Sequence, residues 1–124
     1  MKSVYDLLGA DFQCEQCGRR HSIGVGELVL SEEAISRLPE VCSRYVAGRR
    51  VGLVADQRTH LAAGELAFLE LAGAGFPVVD YLIADPSSGH WPFCDDLTRD
   101  RLERELGECD LLVAVGGGVI SDIV

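Results

Sequence analysis

The chain has 124 residues, of which 48% are apolar, and a formal net charge of −9. This length suits one domain with a substantial core, and the acidic balance excludes an extended nucleic-acid interface, which requires a basic face. No apolar run is long enough to cross a membrane, and the first residues lack the pattern of a signal peptide. We therefore expect a cytoplasmic protein that binds neither nucleic acid nor membrane.

The N-terminal part of the sequence predicts little regular structure. We expect a short helix over residues 2–9, a loop over 14–26 and a strand over 27–30. Ser31 is a predicted helix N-cap, because apolar residues follow it at helical spacing. Pro39 can divide this helix into two.

The cysteines of this segment suggest a metal site. The chain has 5 cysteines, an odd number that in a cytoplasmic protein favours free thiols or a metal over disulfides. Cys14 and Cys17 have the spacing of half a zinc site, and His21 is a candidate third ligand. Cys94 could supply a fourth ligand, although nothing in the sequence brings it near. A reduced turn without any ligand explains the same spacing.

From residue 51 onward, apolar strand patterns alternate with helical ones. The predicted strands lie over residues 51–56, 77–85 and 110–115, and the predicted helices over 58–73 and 97–106. The first of these strands is expected to be buried on both faces, and Leu97 and Leu102 are expected to face inward. This alternation predicts an α/β fold, a Rossmann-like parallel sheet flanked by helices, over residues 23–124. Residues 1–22 would form an N-terminal appendage that carries the Cys-x-x-Cys loop.

Three consecutive glycines, Gly116 to Gly118, follow the last predicted strand and precede a helix. Glycine lets the backbone approach a ligand closely, and the first N–H groups of a helix favour an anion, so this loop predicts a phosphate site. A tight turn without a ligand is the alternative. Asp56 ends a parallel strand, where it can accept hydrogen bonds from ribose hydroxyls or simply cap the following helix. Asp122 either compensates a helix dipole or, with a nucleotide bound, faces a hydroxyl.

Four stretches of the sequence together resemble a known family. These are "CGRRH", "ELVLSEEAISRLPEV", "VGLVADQRTHLAAG" and "DLLVAVGGGVISDIV". They are similar, in this order, to the N-terminal half of sn-glycerol-1-phosphate dehydrogenases, which belong to the iron-containing alcohol dehydrogenase and dehydroquinate synthase-like superfamily. The resemblance extends from about residue 12 to the end of the chain.

The resemblance implies that residues 23–124 form an NAD-binding domain of an oxidoreductase that uses NAD or NADP. Its substrate would be a small phosphorylated polyol such as glycerol 1-phosphate. Asp56 matches the acid that contacts the adenosine ribose, and residues 116–122 match the loop around the pyrophosphate and the nicotinamide ribose. The positions that match the family's cofactor contacts are Asp56, Gly116, Gly117, Gly118, Val119, Ser121 and Asp122.

The resemblance also implies a divalent metal, zinc, nickel or iron, held by an Asp and two His in a second, helical domain. His21, His60 and His90 match none of those ligands, so we assign no catalytic residue and no ligand of that metal to this chain. We expect the chain to be the front half of a two-domain, homo-oligomeric enzyme and to be inactive alone.

Two other functions remain open at this point. The loop "GGGVISD" is closer to that of dehydroquinate synthases, which use NAD in a temporary oxidation. A non-catalytic module that binds a nucleotide or a protein is the third possibility.

Overall fold

The computed structural model describes residues 3–46, 49–87, 89 and 91–124, with Val4 described by its backbone only. The chain divides into two compact units, the N-terminal unit Met1–Ala34 and the sheet unit Ile35–Val124. Within the described residues, no helix combines the length and the apolar character that spanning a bilayer requires.

The N-terminal unit is built around a short antiparallel hairpin. A 3-10 helix, Val4–Leu7, precedes strand β1, Asp11–Gln13, which pairs with strand β2, Arg20–Ser22. The prediction of a loop throughout residues 14–26 was therefore wrong at β2, where His21 lies opposite Phe12.

The strand predicted over residues 27–30 is absent from the structure, so that prediction was wrong. Leu30 is 85% exposed and Leu28 is 45% exposed. A strand is stable only when a neighbour satisfies its backbone groups, and no described strand pairs with this segment.

The sheet unit contains three parallel strands: β3, Val51–Asp56; β4, Val78–Ile83; and β5, Leu111–Val115. Their order in the sheet is β4-β3-β5, with Val51 aligned with both Val78 and Leu111. All of β3 is buried, as its apolar sequence predicted, because β3 is the central strand and is covered on both faces.

Helices connect and cover these strands. They are a 3-10 turn, Ile35–Arg37; α1, Leu38–Val46; α2, Gln57–Thr59; a π-helical turn, His60–Gly64; α3, Glu65–Gly73; α4, Asp96–Leu106; and α5, Gly118–Ile123. The prediction that Ser31 begins a helix was wrong, since the first helical turn after it begins at Ile35. Pro39 is the second residue of α1, a first-turn position that proline tolerates because its nitrogen needs no partner there.

The core has two halves, one on each face of the sheet. Leu53 points to one half and its neighbour Val54 to the other, as side chains alternate along a strand. The first half contains Cys42, Val51, Leu53, Ala67, Leu71 and Phe76. The second half contains Val54, Ile83, Leu102, Leu106, Ile120 and Ile123. The fold is therefore the Rossmann-like α/β arrangement that the sequence predicted.

One predicted core residue lies elsewhere. Leu102 is buried, but Leu97 is 69% exposed, so the prediction that Leu97 faces inward was wrong. Leu97 and Leu102 are five residues apart, which on an α-helix separates their side chains by about 140° around the helix axis. Leu97 therefore points away from the face that carries Leu102. Leu106, four residues after Leu102, shares that buried face.

We expect Leu53→Ala to lower the free energy of unfolding by about 2–5 kcal/mol, since it would leave a cavity at a fully buried position. Leu69→Ala, at a position 59% exposed on α3, is the matched control and should change stability little. Urea denaturation followed by circular dichroism measures both. Equal losses would contradict this description of the core.

Candidate functional site

The strand order creates a crevice between β3 and β5. The chain passes from β3 to β4 on one side and then to β5 on the other side of β3. Open α/β sheets bind ligands at such a reversal, outside the carboxyl ends of the strands. Asp56 is the last residue of β3, and Gly116 directly follows β5. The fold therefore brings the predicted acid and the predicted glycine loop to the same crevice.

Asp56 is held by the helix that follows it. Its Oδ1 accepts the backbone N–H groups of Arg58 at 2.8 Å and of Thr59 at 2.9 Å, so Asp56 caps α2. The Thr59 hydroxyl in turn accepts the N–H of Asp56 at 3.0 Å. The second carboxylate oxygen, Oδ2, lies 3.7 Å from Nη2 of Arg58, which is beyond hydrogen-bonding distance. One oxygen of Asp56 therefore caps α2, while the other faces the Arg58 guanidinium in a long ion pair.

The three glycines of the loop are not equivalent. A Cβ added to Gly116 would lie 2.6 Å from Cγ1 and 3.0 Å from Cβ of Ile120, so glycine is required there for packing. A Cβ on Gly117 or Gly118 would meet nothing within 4 Å. Neither has a positive φ, so neither conformation requires glycine. Packing therefore explains why residue 116 is glycine. Neither packing nor backbone conformation explains the glycines at Gly117 and Gly118.

A cavity of about 240 Å³ lies between the end of β3, the loop after β4 and the start of α5. Its lining residues are Asp56, Thr59, Trp91, Pro92, Gly117, Gly118, Val119 and Ile120. A second cavity, of about 470 Å³, is larger but lies under α4 and α5, beside Cys109 and Leu112. These residues precede or begin β5, which puts the larger cavity at the amino end of the strand. We take the 240 Å³ cavity as the candidate site, because it lies where the strand order reverses and contains Asp56, Gly117 and Gly118.

At the edge of the candidate site, Arg58 contacts both Asp85 and Trp91. Its guanidinium donates two hydrogen bonds to Asp85, at 2.9 and 2.8 Å, and lies 4.0 Å from the centre of the Trp91 ring. The Arg58 side chain holds the pKa of Asp85 below its usual value through these hydrogen bonds. Arg58 is thereby fixed beside Asp56, with its charge already paired.

The other residues that were predicted to contact the cofactor, Val119, Ser121 and Asp122, do not all line the candidate cavity. Val119 lines the candidate cavity, whereas Ser121 is exposed and donates its N–H to the carbonyl of Gly117 at 3.2 Å. Asp122 lines the larger cavity. The structure thus gathers Asp56, Gly117, Gly118 and Val119 around one cavity.

Sequence reasoning missed the aromatic side of the site. Trp91 and Pro92 come from the loop after β4, which was predicted only as an unassigned connection. Trp91 is the one tryptophan of the chain and follows a segment rich in proline, serine and glycine, which is the signal that could have identified it. Thr59, three residues after Asp56, could have been found as the partner in a capping arrangement.

Comparison with known proteins assigns the family. The family model described as iron-containing alcohol dehydrogenase matches residues 29–124. The chain belongs to the iron-containing alcohol dehydrogenase family. It is also 32% identical, over 123 residues, to a protein named glycerol-1-phosphate dehydrogenase [NAD(P)+] from Halalkalibacterium halodurans. The matched region covers 90% of this chain and 28% of that relative, so the chain spans about a quarter of the relative's length.

Because Gly116 is closely packed and Gly117 is not, replacing each by alanine should have different effects on stability. Gly116→Ala should destabilise the protein by about 1–3 kcal/mol, because Ile120 contacts the added methyl group close to its own backbone. Gly117→Ala should leave stability within about 0.5 kcal/mol of the parent. Thermal unfolding of both variants tests this. A destabilised Gly117→Ala would mean that the fold, and not a ligand, requires glycine there.

Proposed function

We propose that this chain forms the nucleotide-binding part of an NAD(P)-dependent dehydrogenase that acts on a small phosphorylated polyol such as glycerol 1-phosphate. The observation that carries this proposal is the pair Gly117 and Gly118. They border the same cavity as Asp56, at the strand reversal, although neither packing nor backbone conformation requires glycine at either position. Family membership and the named relative support the reaction type and the substrate class.

The residues present fit a dinucleotide. Its pyrophosphate would lie against Gly117 and Gly118, where the missing side chains leave the backbone accessible. No side chain caps the start of α5, so its first N–H groups have no side-chain acceptor. An anionic ligand supplies that acceptor and is favoured by the helix dipole.

The adenosine ribose would be held by Asp56. Its Oδ2 can accept a ribose hydroxyl while Oδ1 continues to cap α2. A 2′-phosphate at this place would meet the buried carboxylate, and Arg58 already pairs with Asp85. We therefore propose that NAD binds better than NADP.

The bound nicotinamide would supply the hydride chemistry, and this chain would supply binding and orientation. The described residues do not offer the family's metal set of one Asp and two His. His60 Nε2 lies 2.8 Å from Asp80 Oδ2, His21 lies next to Cys17, and His90 is outside the described residues. None of the described residues is therefore assigned as a ligand of that metal.

Gly117→Ala should weaken NAD binding by about tenfold or more, since even a modest clash of 1.4 kcal/mol with the pyrophosphate corresponds to that factor. Gly73→Ala is the matched control, because a Cβ at Gly73 also meets nothing within 4 Å and lies at the end of α3. Calorimetric titration of each folded variant with NAD measures the affinities. Equal affinities for Gly117→Ala, Gly73→Ala and the parent would contradict the proposed pyrophosphate contact.

Asp56→Asn should weaken NAD binding by about 1.5–3 kcal/mol, the usual contribution of a hydrogen bond to a charged group. Asparagine caps helices as well as aspartate does, so the fold should persist. The same substitution should reduce the preference for NAD over NADP, because it removes the charge that opposes the 2′-phosphate. Parallel titrations with NAD and NADP test both expectations. If the ratio of the affinities for NAD and NADP does not change, Asp56 does not contact the ribose.

A further inference from the structure

The turn between β1 and β2 brings two thiols and an imidazole together. Cys14 N–H donates to the carbonyl of Arg19 at 2.8 Å, and Gly18 N–H donates to the carbonyl of Cys14 at 2.9 Å. Gly18 has φ +67°, a left-handed conformation that glycine adopts without strain. These bonds fold the segment back on itself, so that Cys14 and Cys17 lie beside His21 on β2.

The three ligand atoms are close enough to share one ion. The Sγ atoms of Cys14 and Cys17 and a ring nitrogen of His21 all lie within 4.8 Å of one another. Cys17 Sγ and His21 Nε2 are 3.0 Å apart. Around a tetrahedral zinc, with Zn–S of about 2.3 Å and Zn–N of about 2.0 Å, such atoms are separated by about 3.5–3.8 Å. A small adjustment of these side chains, of which only Cys14 is half-buried, therefore produces zinc geometry.

The backbone of the turn also holds the first sulfur in place. The backbone N–H groups of Cys17 and Gln16 donate hydrogen bonds to the Cys14 sulfur. The Cys14 sulfur is therefore fixed within the turn, beside the other two ligand atoms.

The described residues of the N-terminal unit form few strongly stabilising interactions of their own. None of its described side chains is buried, and its hairpin consists of two strands of three residues each. The pair Arg20–Asp11, at 2.7 Å, is largely exposed, and exposed ion pairs stabilise little. Segments this small usually depend on a metal, a disulfide or a partner to hold one conformation.

We propose that Cys14, Cys17 and His21 bind a zinc ion that fixes the β1–β2 hairpin, with solvent at the fourth coordination position. The ion is separate from the substrate-polarising metal of the enzyme family, and the proposal does not depend on the proposed nucleotide site. The proposed site takes all three of its protein ligands from the N-terminal unit, whereas Cys94 belongs to the sheet unit.

Cobalt titration of the reduced, metal-free 124-residue chain tests the site, because Co²⁺ replaces zinc and reports thiolate ligation through its absorption. We expect a thiolate-to-cobalt charge-transfer band that saturates at one ion per chain and disappears when zinc is added. Cys17→Ser and His21→Ala should each lower the affinity by at least about 100-fold, since even outer partners of ligands contribute about 10–100-fold. Cys94→Ser is the matched control, because it removes another exposed thiol, and should leave the affinity unchanged.

Thiol alkylation followed by mass spectrometry gives a readout that needs no variant. Zinc should protect Cys14 and Cys17 of the parent chain from iodoacetamide and leave Cys94 reactive. The absence of a charge-transfer band would overturn the proposal. Equal protection of Cys94, or weaker metal binding in Cys94→Ser, would overturn the assignment of three ligands. A Cys14–Cys17 disulfide that survives mild reduction would likewise overturn it.

Discussion

The burial of β3 on both faces is the constraint on which the sheet unit depends. β3 is the central strand, and its side chains supply both halves of the core: Leu53 packs toward α1 and α3, and Val54 toward α4 and α5. A strand in this position must be apolar until it leaves the sheet. Its one acidic residue, Asp56, therefore stands at the carboxyl end, where the next helix begins.

The candidate site follows from the way β3 ends. Asp56 is buried, and a buried carboxylate requires hydrogen-bond donors, which the first turn of α2 supplies to one of its oxygens. The neighbouring strand β5 ends in glycines, of which Gly116 allows α5 to pack through Ile120. Gly117 and Gly118 border the same cavity as Asp56. In the function that we propose, the packing of the fold and the binding of a ligand therefore use different groups of the same few residues.

The sequence predicted the parts of the fold that depend on strong local patterns. The apolar runs of β3 and β5 identified the parallel sheet, and the glycine loop predicted a phosphate site after β5. The patterns failed where an element depends on a distant partner: residues 27–30 have strand composition but no neighbouring strand, whereas β2, which is polar, is a strand because β1 pairs with it. Trp91 could not be placed, because its position over Arg58 depends on the path of a long loop. Periodicity also could not show that Gly64 lies against a neighbouring side chain, with an added Cβ placed 3.0 Å from the ring of His60.

The central claim is that a dinucleotide binds at the strand reversal between β3 and β5. Amide chemical-shift mapping of the chain during titration with NAD tests it most directly, because every residue reports separately. The account predicts saturable shifts at Asp56, Thr59, Gly117 and Gly118, with the amides of the β1–β2 hairpin unchanged. Shifts confined to the larger cavity around Leu102 and Cys109, with the glycine amides unmoved, would contradict it.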